Sequence, residues 1–199
     1  MSEADICMIK EFGKNVERGA GKTIRNNIMQ GSEQLTKSSS KETVALWMCE
    51  AIHRLDSAVD EKTRMQIMEA CGRTCASINT RVIEAAKRRR KKFKDLAGFL
   101  EAEQQKPMKG TRLIKKGDIL YHFYTPKKFT PPMRCYCSLF RGLPNNTTIS
   151  STYCHCSKAF VQRLWESVFG HPVKVDLLQS VVSGDPECKF AIHLSSKGH

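Results

Sequence analysis

The apolar pattern changes character once along the chain, at Pro107 and Gly110. Before that point hydrophobic residues recur at helical spacing, and after it they come in short runs of strand formers. This switch of period, more than any motif, limits what the chain can fold into. Val44, Leu46, Trp47, Ala51, Ile52 and Leu55 follow Ser40, which predicts a capped helix. Asp60 is a second cap candidate, ahead of Met65, Ile67, Met68 and Cys71. A third helical stretch runs from about Ser77 through Arg90, and Phe93 to Gln104 extends it or forms a fourth. Residues 1–40 end in the polar stretch Thr36 to Ser40, read as a linker or helix entry. Gly21-Lys22-Thr23 is similar to the end of a phosphate-binding loop, but Val16 stands where its first glycine belongs, so nucleotide binding is not expected.

Beyond the switch, Ile119 to Tyr124 and Arg134 to Phe140 predict an antiparallel pair with a long connection containing Pro126, Pro131 and Pro132. Lys158 to Phe169 places Phe160, Leu164, Trp165 and Val168 on the buried face of an amphipathic helix that ends at Gly170. Lys158 and Arg163 fall toward solvent. Val173 to Val182 and Cys188 to Leu194 read as two further strands joined by Ser183-Gly184-Asp185-Pro186. The expected class is α+β, with N-terminal helices over residues 1–106 followed by a β-β-α-β-β antiparallel sheet unit within 111–199. The two parts are expected to pack as one compact unit.

Of 199 residues, 33 are Lys or Arg and 20 are Asp or Glu, a formal net charge of +13. A chain of this length can bury a core without disulfides or metal. No uncharged apolar run approaches the roughly 18 residues of a membrane span, and the first residues carry acids and lack a signal-like apolar stretch. A cytoplasmic protein without a membrane span is expected. Much of the charge sits in Lys87 to Lys92. Six consecutive cations point all round a helix, so a solvated or partner-facing surface is expected there, and nucleic acid is the unlikely partner.

Nine cysteines then matter, because in a reducing compartment clustered thiols bind metal or do chemistry more often than they form disulfides. Cys71 and Cys75 share a face if their segment is helical, and Cys135 and Cys137 share a face if theirs is a strand. Cys154 and Cys156 flank His155 at a helix start, and Cys188 opens the last strand. Zinc wants four such ligands in a tetrahedron, so Cys135, Cys137, Cys154, Cys156 and Cys188 are candidate metal ligands, with Cys71 and Cys75 secondary. Two other readings stay open: a thiol nucleophile at Cys154 or Cys156 activated by His155, and plain packing, expected for Cys7 and Cys49. Arg73 could hold a carboxylate through a bidentate bond. His122 and Tyr124, in an apolar-aromatic strand, are candidates to face a ligand pocket, against the plainer reading of a satisfied structural histidine.

Tyr153-Cys154-His155-Cys156, the following helix, Phe169-Gly170-His171-Pro172-Val173 and Gly184-Asp185-Pro186-Glu187-Cys188-Lys189-Phe190 resemble the 4-vinyl-reductase type of small-molecule-binding domain. The related family named for 2-amino-thiazoline-4-carboxylate hydrolase is similar too, and the resemblance spans about residues 115–194. It implies a fold shared with nitric-oxide-sensing and vesicle-tethering domains, with an apolar pocket between helices and sheet. It also implies a zinc ligand at Cys154 or Cys156 and another at Cys188. Leu177 and Ser180 stand near the places of the intervening strand ligands, so Cys135 and Cys137 would have to complete the site.

The function expected is small-molecule binding or sensing, with a cysteine cluster that binds zinc or responds to redox state. The alternatives are a cysteine- or metal-dependent hydrolase of a small cyclic amide or thiazoline-like substrate, and a basic adaptor for nucleic acid or an acidic partner. A homodimer is left open.

Overall fold

The computed structural model describes residues 1–125 and 134–194. Six helices and four strands form it: α1 (Glu3–Ile28), α2 (Lys41–Ala58), α3 (Glu61–Ile78), α4 (Thr80–Arg90), α5 (Leu96–Gln105), β1 (Thr111–Lys116), β2 (Ile119–Tyr124), α6 (Cys154–Phe169), β3 (Val175–Gln179) and β4 (Cys188–His193). The strands make one antiparallel sheet in the order β1-β2-β4-β3. Among the described residues no helix is long and apolar enough to cross a membrane.

Local chemistry sets the helix starts. Ser40 Oγ accepts from Thr43 N at 3.0 Å and Asp60 Oδ1 from Thr63 N at 2.9 Å, each satisfying a donor that a helix start leaves free. Asp95 caps α5 in the same way. Residues 3–28 are helical, opened by a reciprocal Ser2–Asp5 capping box, and the polar Thr36 to Ser40 stretch leads into α2 as a helix entry. Gly21 kinks that helix with φ of +86°, a conformation a side chain would strain, so the Gly21-Lys22-Thr23 run is a helix break and no phosphate cradle.

The sheet corrects two expectations. Its first hairpin joins Thr111–Lys116 to Ile119–Tyr124 around Gly117-Asp118, so the strand before the turn was missed. Arg134 to Phe140 is no strand but a loop ending in a 3-10 turn at Ser138–Phe140. Its aromatic and apolar content serves burial instead, with Leu139 and Phe140 packed among the N-terminal helices. The expected long connection through Pro126, Pro131 and Pro132 lies outside the described residues.

Two apolar clusters result. One gathers α1, α2, the front of α3 and the 139–149 loop; the other lies between the inner sheet face and α4, α5 and α6. Helices α3 and α6 run through both. Where they cross, Gly72 lets the backbones touch: a Cβ there would sit 2.1 Å from the Cys156 carbonyl oxygen. Leu164, Trp165 and Val168 are buried as expected, while Phe160 is only half-buried and Val161 takes a core place. Lys158 is drawn from solvent into an ion pair with Glu69.

On the outer sheet face the rings of β2 are covered by cations. Arg112 lies 3.7 Å above Phe123 and bonds Glu187, and Lys189 lies 4.6 Å above Tyr121. The basic run of α4 is partly occupied as well. Arg89 pairs with Glu103, Arg90 donates to the Phe93 carbonyl, and Lys87 pairs with Glu84. Arg88, Lys91 and Lys92 are exposed. Changing those three to Gln should alter stability by no more than about 0.5 kcal/mol in urea denaturation, the range of ordinary surface sites.

Candidate functional site: a histidine at the floor of an apolar chamber

The inner sheet face, laid down by alternation along β2, presents Leu120, His122 and Tyr124 to the helices. His122 is 2 % exposed. Trp165 of α6 donates its indole Nε1–H to His122 Nδ1 at 3.0 Å. That bond makes Nδ1 the acceptor, so the neutral ring carries its proton on Nε2. Burial lowers the His122 pKa to about 3, which keeps the ring neutral near pH 7. Nε2 has no hydrogen-bond partner among the described residues. A buried donor left unpaired costs about 1–3 kcal/mol, and such groups concentrate where a ligand or water completes them.

His122 lines a cavity of about 20 Å³, walled by Phe99, Leu113, Leu164, Trp165 and Val168 and bordered by Arg89 and Glu103. The Arg89 fork bonds both carboxylate oxygens of Glu103, at 2.7 and 3.1 Å. Glu103 is nearly closed off, its side chain 9 % exposed against 33 % for Arg89. Replacing Arg89 by Met would strand that carboxylate. With the guanidinium one-third in water, a loss of about 1–3 kcal/mol is expected, measured by urea denaturation at pH 7. Tyr124 stands beside this cavity, edge-on to His122 with ring centroids 5.0 Å apart and stacked on Tyr136 at 4.7 Å. Arg73 is not there. Its side chain is 56 % exposed and pairs with Glu69 on its own helix.

The thiols gather separately, where α3 meets the start of α6. Cys71 accepts from Asn15 Nδ2 at 3.5 Å and Cys75 from Asn79 Nδ2 at 3.3 Å. Cys137 shares a 3.0 Å hydrogen bond with Tyr153, and Cys154 a 2.9 Å one with Ser180. Cys156, Cys75, Cys71, Cys137 and Cys135 lie near enough to feel one another's charge. Cys135, Cys137 and Cys156 of the expected set thus lie with the secondary candidates Cys71 and Cys75, while Cys154 bonds Ser180. The grouping has no metal geometry: among the described residues no three His, Cys, Asp or Glu side chains are placed to hold an ion. The expected zinc site of Cys135, Cys137, Cys154, Cys156 and Cys188 is accordingly not formed. With Arg134 to Phe140 a loop, Cys135 and Cys137 do not share a strand face, and Cys137 and Cys154 are turned to hydroxyl partners.

The nucleophile reading fares no better. Burial raises Cys154 to about 11 and Cys156 well above the usual thiol range, so these thiols stay protonated at neutral pH. His155 Nδ1 has no hydrogen-bond partner among the described residues, so that nitrogen holds neither neighbouring thiol. Cys49 is buried as expected for packing, but Cys7 is exposed.

Compared with protein families, residues 4–198 match a family of unknown function, DUF6144. The chain belongs to DUF6144. No curated protein matches it. Among solved structures, this DUF6144 chain is similar to an H-NOX protein from S. oneidensis in the Fe(II) ligation state, a triple mutant. Identity is 10 %, the TM-score is 0.50, and the alignment covers 100 % of this chain and 98 % of that one. The H-NOX protein from S. oneidensis in the Fe(II)NO state aligns over 98 % of this chain and 100 % of that chain, at 11 % identity with a TM-score of 0.47. The DUF6144 chain thus has an H-NOX-like α+β fold: N-terminal helices, then a four-stranded antiparallel sheet with a helix.

Proposed function

We propose that this DUF6144 protein binds and senses a small, neutral molecule with an apolar body and one hydrogen-bond acceptor, held by His122. The observation that carries this reading is the unpaired Nε2–H of a fully enclosed, neutral imidazole at the wall of an apolar cavity. A donor in that setting favours a hydroxyl or carbonyl oxygen. Anions are disfavoured, because the ring brings no positive charge and the bordering Arg89 is already taken by the Glu103 carboxylate. The likeness of Tyr153 to Phe190 to the 4-vinyl-reductase type of domain supports the same function.

About 20 Å³ is room for one water, whereas ligand pockets run to roughly 300 Å³ or more. An organic ligand must therefore displace a wall, and the Arg89–Glu103 bridge is the polar part of that wall able to swing into water. Binding so coupled to opening gives a protein two states, which is what a sensor requires.

The iron that the H-NOX structures hold does not fit these residues. His122 could offer Nε2 alone, in a space of about 20 Å³, and among the described residues no cluster of further ligands is formed.

Thermal-shift titration of the intact protein with phenol, acetophenone and benzoate tests the reading. The two neutral compounds should raise the melting temperature and benzoate should not, and His122→Phe should abolish the response. Preference for benzoate, or an unchanged response in His122→Phe, would overturn it.

A further inference from the structure

Away from the His122 cavity, two thiols from distant parts of the chain meet at one hydroxyl. Cys154, in the first turn of α6, shares a 2.9 Å hydrogen bond with Ser180 Oγ, and Cys188, at the start of β4, lies close enough to feel both the Ser180 side chain and the Cys154 thiol. Ser180 is itself held in place, since its N–H donates to Asp185 Oδ2 at 2.9 Å and its Oγ accepts from Val182 N at 3.1 Å. Cys188 is half-buried and Cys154 buried, so a reagent from solvent reaches Cys188 first. The geometry points to Cys154 and Cys188 as a dithiol pair that reacts with small disulfides such as oxidised glutathione, closing an intramolecular disulfide between α6 and β4. This goes beyond ligand binding and does not depend on it.

The exchange balances as follows. Cys188 loses its proton and its sulfur attacks one sulfur of oxidised glutathione; the S–S bond breaks, and one glutathione thiolate leaves with the electron pair. Cys154 then loses its proton and attacks the Cys188 sulfur of the mixed disulfide, expelling the second glutathione thiolate. Two protein thiols are oxidised by two electrons, and one oxidised glutathione becomes two glutathione thiols carrying the two protons. The sulfurs must close to about 2.05 Å, which requires the Ser180 hydroxyl to turn aside.

Burial, with the charges of Asp185 and Glu187 nearby, raises the Cys188 pKa, so the first step is slow at neutral pH. Its rate should climb about tenfold per pH unit until that thiol titrates.

The test treats the intact protein with excess oxidised glutathione at alkaline pH, then alkylates, digests and maps it by mass spectrometry. The expected product is one peptide pair linked through Cys154 and Cys188, with two fewer alkylated thiols at these positions and full reversal by dithiothreitol. Cys154→Ser should stop the reaction at a single glutathione adduct on Cys188. Cys188→Ser should leave Cys154 as a free thiol. Glutathione found only on the exposed Cys7, or a disulfide joining other cysteines such as Cys75 and Cys137, would overturn the assignment.

Discussion

Alanine at position 72 is expected to destabilise the protein by about 3 kcal/mol or more, at the upper end of what overpacking costs. The added Cβ would lie 2.1 Å from the Cys156 carbonyl oxygen and 2.8 Å from the Ala159 Cβ. Neither neighbour is the loose end of a side chain, so the α3 and α6 backbones must part. Both apolar clusters would then be strained, because each helix serves both. Gly19 makes the control. A Cβ there meets Ile67 Cγ1 at 2.6 Å, a side-chain contact that presses on no backbone atom, so the cost should be smaller than at position 72. Urea denaturation of the two variants should rank Gly72→Ala well below Gly19→Ala, and similar stabilities would show that the crossing is looser than described.

The second large effect is acid sensitivity originating at His122. Its folded pKa is about 3 against the ordinary 6.5, so the unfolded chain holds more protons throughout that window. Stability therefore falls as pH drops from 6.5 toward 3, by roughly 2–3 kcal/mol between pH 6.5 and 4.5. Carboxylates also contribute at the acid end: hydrogen bonds to Ser2 and Ser138 outweigh burial and lower Asp5, and the Thr63 backbone bond lowers Asp60. A difference measurement isolates the histidine. The stability of His122→Phe should be distinctly less dependent on pH between 6.5 and 4.5, and an equal slope in both proteins would place the proton uptake elsewhere.

Much of the fold could be read from local chemistry. Ser40 and Asp60 cap because they precede apolar residues at helical spacing, and the signal is complete within a few positions. β1 escaped because Thr111–Lys116 is half cationic and leans on its partner strand for its pairing. Arg134 to Phe140 misled in the opposite direction: aromatic and sulfur-bearing residues mark burial, and a loop inserted into a core needs them as much as a strand does. The site was legible in its members and not in their relations. His122 could be singled out, but its tautomer depends on Trp165, 43 positions away. The Arg89–Glu103 bridge was missed because a residue inside a run of cations looks solvated until the partner helix is placed. The thiols could be picked out but not grouped, since spacing shows neither which elements meet nor the direction in which sulfur points.

The cations on the outer sheet face also decide how that face is closed. A sheet packed by helices on one side leaves its other side as a ready adhesive, and here Arg112 and Lys189 roof Phe123 and Tyr121 in place of a second layer. Their methylene stems keep water from the rings, and the Arg112 end is held by Glu187. An aromatic face that would otherwise call for a second layer is thus closed by two side chains from the strands flanking β2.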